Sequence, residues 1–377
     1  MRAPLFLCAL LLFAATAFAD IRPTPSPPVI GATSYLLVDA TTGYELASLQ
    51  PDNRVPPASL TKLMTSYVVF HSLKSGQIAL NDEVTISEKA WRMKGSRMFI
   101  EVGKRVRVED LLMGVIVSSG NDASVALAEH VAGSEDVFAA LMNQYAERLG
   151  MTSTNFVNAT GLPDPDHYVT ARDVAKLAQA IITEFPEYYE WYSTREFTWN
   201  DIKQPNRNRL LWRDNSVDGL KTGHTEEAGY CLVSSAERDG MRIVSVVVGT
   251  SSDNARINGS QSLLNYGFRF FETRLVFKAG EEITRSRVFK AENDETRLGV
   301  ADDLYLTFPR GAYDELEPVE SIPAEVIGPI SQGQPVGELT VSLDGTPLSS
   351  VPLRALDDNP EGSLWKRAVD GMKLWID

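Results

Sequence analysis

An α+β fold is predicted: one antiparallel sheet flanked by helices and split by a helical insertion, then a small all-β domain and a C-terminal amphipathic helix. Three observations predict it. Strand-like runs stand at both ends of residues 31–273, helix-periodic runs fill the middle, and short alternating runs rich in Pro and Gly occupy 274–357. Strands contributed by both ends of one segment close into a sheet beside the insertion they enclose.

In chain order, residues 1–19, MRAPLFLCALLLFAATAFA, carry a positive charge at Arg2, an apolar run, and small residues at Ala17 and Ala19. That is the pattern of a secretory signal peptide cut after Ala19. No later run stays apolar for the roughly 18 residues a spanning helix needs. An exported protein is expected. Cys8 leaves with the signal and Cys231 remains alone, so the mature chain has no internal disulfide and must rest on burial.

Residues 20–30, DIRPTPSPPVI, read as an extended proline-rich leader. SYLLVDA and YELASLQ flank a TTG turn and predict a hairpin. Five runs follow with apolar positions three and four apart, beginning at Ser59, Val108, Asn121, Ser134 and Thr170, several opened by a capping residue. GYCLVSSAER and MRIVSVVVGT, separated by Asp239 and Gly240, predict a second hairpin, and NGSQSLLNYGFRFFE one more helix. ITRSRVFK, DLYLTF, GELTVSL and SVPLRAL are the strands of the β domain.

Residues 358–377 hold a polar linker and SLWKRAVDGMKLWID. At about 100° per residue, Leu364, Trp365, Ala368, Val369, Met372, Trp375 and Ile376 share an arc of roughly 140°, with Lys366, Arg367, Asp370 and Lys373 opposite. Such a stripe suits either a membrane interface or the protein's own surface, and its terminal place after a linker favours a membrane contact through 363–376.

The net charge of −14 excludes a nucleic-acid partner, which would demand a basic face. His71, His130, His167 and His224 are dispersed and no HExxH occurs, so no metal site is expected. No cofactor is called for either.

Chemistry resides in three short motifs that mean little singly. SxxK occurs at Ser59 and again at Ser363, SxN at Ser119, Ser153 and Ser252, and K[ST]G at Lys74 and Lys221. Only Ser59-Leu-Thr-Lys62 at a helix start, Ser119-Gly-Asn121 between helices, and Lys221-Thr222-Gly223 before a hairpin follow one another in suitable context. Ser59 read alone is a helix cap and Lys62 a solvated side chain. Together the motifs supply a nucleophile, a base one helical turn along, and Lys221 as the cation that lowers the base's pKa. The absence of GxSxG disfavours an α/β-hydrolase triad.

This set resembles the active site of penicillin-binding proteins and serine β-lactamases. With QPNRNRLLW, VDGLKTGHT and GFRFFE, the whole mature chain is similar to the low-molecular-mass D-alanyl-D-alanine carboxypeptidases. The resemblance implies that Ser59 attacks the penultimate D-alanine carbonyl of a peptidoglycan stem peptide while Lys62 takes its proton. Ser119 would relay a proton to the leaving nitrogen, and Asn121 would hold the substrate amide or Lys62. Lys221 would add positive charge, and the N–H groups of Ser59 and His224 would form the oxyanion hole. Thr222 and Arg207 would bind the terminal carboxylate. Asp173 is read as one half of a capping pair with Thr170. The resemblance also implies β-lactams as covalent inhibitors acylating Ser59, and a place on the periplasmic face of the inner membrane. It leaves open a homodimer there. D,D-endopeptidase or transpeptidase activity, and a non-catalytic peptidoglycan-binding scaffold, are the alternatives.

Overall fold

In the computed structural model, which describes residues 24–376, the main sheet has five antiparallel strands. Their spatial order is Glu45–Leu49, Ser34–Asp39, Met241–Thr250, Gly229–Arg238 and Val217–Thr225. Both expected hairpins are present, and Ser34–Asp39 pairs with Met241–Thr250 with Leu36 opposite Val246, so the two ends of the segment meet in one sheet. The expected signal peptide and the first residues of the leader lie outside the described residues.

Alternation along these strands divides the core. Leu36, Val38, Val244 and Val246 face the helical insertion, whereas Tyr35, Leu37, Ile243 and Val247 face the helix Asp253–Phe270. Gly267 permits that helix to lie close: a Cβ there would come within 2.6 Å of Ile243 Cδ1. This helix begins earlier than its apolar run suggested, because the Ser252 hydroxyl accepts from Ala255 N–H and caps it.

All five insertion helices form, and the first, Thr61–Lys74, runs through the centre with Leu63, Met64, Val68 and Phe70 fully buried. Buried on nearly every side, its polar Thr61, Lys62, Thr65 and Ser66 included, it is held by packing all round rather than by an amphipathic face. The Lys221 motif stands, as expected, just ahead of the Gly229–Arg238/Met241–Thr250 hairpin, and it does so on a strand of its own, the edge strand Val217–Thr225. Strand Val217–Thr225 was too polar and glycine-rich to be read as one.

Phe271–Phe277 continues directly from the last helix and pairs with Leu304–Pro309, leading into a six-stranded sheet. Three of the four expected strands lie in that sheet, the fourth being Leu304–Pro309 itself, and they are joined there by Glu295–Gly299, Leu316–Ser321 and Val326–Ile327, each short or polar enough to escape the alternation test. The β unit is tied to the catalytic unit by part-buried hydroxyls: Thr307 Oγ1 lies 2.6 Å from Thr42 Oγ1 and 2.8 Å from Thr273 Oγ1, which in turn donates to Asp39 Oδ2 at 2.7 Å. The terminal helix Leu364–Ile376 then packs on the β unit by its charged side, with Asp370 buried and accepting from Lys290 N–H at 2.8 Å.

Candidate active site

Ser59 lies in a 3-10 turn, Ala58–Leu60, that feeds into the buried helix, and Ala58 takes φ 46° just before it. The sequence reading of Ser59 as a cap is corrected here: its side chain caps nothing, and the N-cap position belongs to Leu60. The hydroxyl is free for Lys62 instead. Lys62 Nζ stands 3.1 Å from Ser59 Oγ, 2.7 Å from Asn121 Oδ1 and 2.6 Å from the Thr160 carbonyl.

The acceptor character of these partners decides the proton arrangement. A carbonyl oxygen only accepts, and so does Asn121 Oδ1, whose amide orientation is set by Nδ2 donating to Lys94 O at 2.6 Å. Two N–H bonds of Lys62 are therefore committed to Asn121 and Thr160. The remaining direction faces a hydroxyl, which can donate as well as accept, so a neutral Lys62 presents its lone pair to Ser59.

Burial favours that neutral form. Lys62 is 1% exposed, and its pKa is pushed down to about 7, first by desolvation and second by the charge of Arg207, against an opposing pull from Asp122. Lys221, the cation expected in this role, repels Lys62 as well, and Arg207 joins it. Lys221 is equally buried and is itself driven well below the usual lysine range by desolvation, then by Lys62, Arg207 and Arg256. Two amines and two guanidiniums crowd one site, so neither amine holds a proton comfortably.

Lys221 Nζ donates to Ser119 Oγ at 2.8 Å, which forms the second amine–hydroxyl pair of the site. Ser119 has φ 58°, a left-handed conformation between two helices that a serine adopts only under tertiary constraint. Ser59, Ser119, Asn121, Arg207, Thr222, Gly223 and His224 all line one cavity of about 360 Å³, along with Thr160 and Gly161. Gly223 sits where a Cβ would come within 3.2 Å of Pro57 O, so the strand lies directly against the serine turn. His224 is exposed at the rim with its ring 4.0 Å from that of Tyr230. Arg207 forms no hydrogen bond or ion pair among the described residues, leaving its guanidinium available to an anion.

Several supporting groups escaped the sequence reading. Asp122, fully buried, accepts from the N–H groups of Met98, Phe99 and Ile100, and so fixes the loop that supplies the Lys94 carbonyl. Arg256 donates to Gly223 O at 2.9 Å and Cys231 O at 3.2 Å, bracing the edge strand. His167, pushed down to about 4 chiefly by burial, meets Thr61 Oγ1 at 2.9 Å. Asp173 lies elsewhere, and the capping pair is one-sided: Thr170 Oγ1 accepts from Asp173 N–H, but the Asp173 carboxylate accepts from Ser153 and Thr154. Among the described residues no cluster of metal-ligating side chains occurs.

Comparisons with known proteins agree with this geometry. Residues 22–252 match the family described as D-alanyl-D-alanine carboxypeptidase, and residues 271–361 match the C-terminal domain of penicillin-binding protein 5. The chain is 43% identical to D-alanyl-D-alanine carboxypeptidase DacC of Escherichia coli strain K12, across 96% of this chain and 92% of that one. It superposes on penicillin-binding protein 5 from Haemophilus influenzae with a TM-score of 0.86 at 44% identity, covering 89% of this chain and 100% of the other. The ampicillin-bound form of penicillin-binding protein D2 from Listeria monocytogenes matches with a TM-score of 0.60 at 29% identity, over 65% of this chain and 100% of that one. With two serines lining one cavity, each paired with a buried lysine, and these likenesses along almost its whole length, the chain belongs to the D-alanyl-D-alanine carboxypeptidase family of penicillin-binding proteins.

Proposed function

We propose that the protein removes the terminal D-alanine from peptidoglycan stem pentapeptides through an acyl-enzyme at Ser59. The observation that carries this is the buried Lys62 amine, held 3.1 Å from Ser59 Oγ with its pKa near neutrality. Ser59 attacks the penultimate carbonyl as Lys62 takes its proton. The developing oxyanion is met by the Ser59 and His224 N–H groups, a device worth about 3 kcal/mol per donor in the transition state. Ser119 passes a proton to the leaving nitrogen with Lys221 behind it, and Asn121 holds Lys62 rather than substrate. The terminal carboxylate binds Arg207 and Thr222. In doing so it offsets the Arg207 charge, which makes protonation of Lys62 less costly at the moment it must accept a proton. Water then hydrolyses the ester.

β-Lactams acylate the same serine as covalent inhibitors. Residues 31–273 form the catalytic unit and 274–357 the small β unit. For location, the signal-like residues 1–19 support export to the periplasm, and the tail helix supports attachment to the membrane surface. Its polar side is held by the β unit while Leu364, Trp365, Met372 and Trp375 are 59–91% exposed. No helix among the described residues is long and apolar enough to cross a membrane. The test is release of free D-alanine from a stem pentapeptide by wild type and by Ser59→Ala. No release by wild type sinks the proposal.

A further inference from the structure

The largest cavity adjoining the site does not contain Ser59. It measures about 840 Å³, and Arg207 and Arg256 line both it and the smaller reactive cavity, so they form the wall between them. Its lining holds five basic residues, Lys203, Arg207, Arg209, Arg213 and Arg256, against one acid, Asp253. In a chain of net charge −14 this local excess is the reverse of the background. The pairing is incomplete. Arg209 shares Asp253 with Arg256, Lys203 is held by Glu196, but Arg213 meets only the neutral Asn258 and Arg207 meets nothing.

One further feature suits a ligand. Trp212 contributes an apolar wall and is 45% exposed.

We propose that this cavity is a subsite for a carboxylate-bearing acidic peptide on the leaving-group side of the cleaved bond. The inference rests on reading Arg207 as the ligand of the substrate's terminal carboxylate. The substrate's own chain ends at Arg207, so whatever occupies the space beyond is a second chain. Guanidinium groups pair with carboxylates in planar, two-point fashion, and the tryptophan face suits the aliphatic stem between two such charges. A neighbouring stem peptide has that chemistry. The site thereby recognises a strand next to the one being trimmed.

The experiment uses the full mature chain with Ser59 blocked by benzylpenicillin, so that the smaller cavity is occupied. A dansyl-labelled stem tetrapeptide with its carboxylates free is titrated in, beside its fully amidated form. Binding that survives acylation, weakens with salt, and drops by roughly tenfold on amidation and in the Arg209→Gln, Arg213→Gln double variant is the expected result. D-Alanine release from a short neutral substrate should be unchanged in that variant. Loss of binding on acylation, equal binding of the amidated peptide, or an equal fall in D-alanine release would each overturn the subsite. Inorganic phosphate competing as well as the free peptide would do the same, by reducing it to a general anion site. Because the titration needs no turnover, its failure is separate from any failure of the carboxypeptidase activity.

Discussion

Lys62 Nζ and Ser59 Oγ are 3.1 Å apart, and the other two contacts of that nitrogen, at 2.7 and 2.6 Å, go to oxygens that can only accept. The shorter pair takes two N–H groups. Once the amine is neutral, what is left for Ser59 is its lone pair, and this one relationship joins the backbone geometry of the serine turn to the chemistry of acyl transfer.

The first prediction concerns pH. Lys62 acts only when deprotonated, and its pKa is lowered to about 7, so acylation should rise with pH through about 7 and then level off. Below that pH the rate should fall about tenfold per unit. The check is the second-order rate of β-lactam labelling from about pH 5 to about pH 9, using a β-lactam without a titrating group in that range. A flat profile there contradicts Lys62 as the base.

Arg207→Gln separates two roles of one cation. Removing its charge relieves Lys62 of a repulsion, so the rising limb should move to higher pH. The same change removes the partner of the terminal carboxylate, which should raise KM and cut kcat/KM by about 10-fold to 100-fold, as expected for a charge-assisted hydrogen bond. A substitution that merely loosened the fold would lower activity without shifting the limb.

Gly161→Ala tests how Thr160 reaches Lys62. Gly161 has φ +84°, and an added Cβ would lie 1.8 Å from the Ala58 carbonyl oxygen, an overlap only backbone movement can relieve. The control is Gly76→Ala, at φ +73° with nothing within 4 Å, which should cost only the conformational penalty of about 1 kcal/mol. Gly161→Ala should cost at least about 2 kcal/mol in thermal or denaturant unfolding and slow acylation more than tenfold. Equal effects from the two would mean the turn is not pressed on the serine.

The sequence made the side-chain chemistry legible and left the supporting geometry hidden, for a physical reason. Ser59, Lys62, Ser119 and Lys221 act through residue type at short spacing, which a motif records. Thr160 acts through its backbone carbonyl from 98 positions away, and a carbonyl is the same in every residue. Asp122 reads as one more acid in the first turn of a helix, and Arg256 as one more surface cation, until the fold buries them. Arg207 as a second cation acting on Lys62 is not legible, because nothing in the motifs places that arginine beside the amine. Both expected hairpins and the five long insertion helices are legible because period and turn chemistry agree there, whereas the one-turn helices Glu88–Trp91 and Pro186–Tyr189 are too short to show a period and Val217–Thr225 is hidden by its glycines and charges.

The tail helix separates docking from anchoring. Asp370 and Lys366 hold it to the β unit, through Lys290 N–H and Asp294, on the side away from the exposed tryptophans. Replacing Trp365 and Trp375 with Ser should leave that docking intact and lower vesicle partitioning at least about 100-fold, since burying each large apolar side chain contributes on the order of 2 kcal/mol. Asp370→Ala should do the opposite. It removes the acceptor for Lys290 N–H, so hydrogen exchange of the helix should accelerate while partitioning persists, because the apolar stripe is unchanged. Flotation with anionic lipid vesicles measures the first effect and exchange in solution the second. If the tryptophan pair can be removed without loss of vesicle binding, the exposed stripe is not the membrane contact.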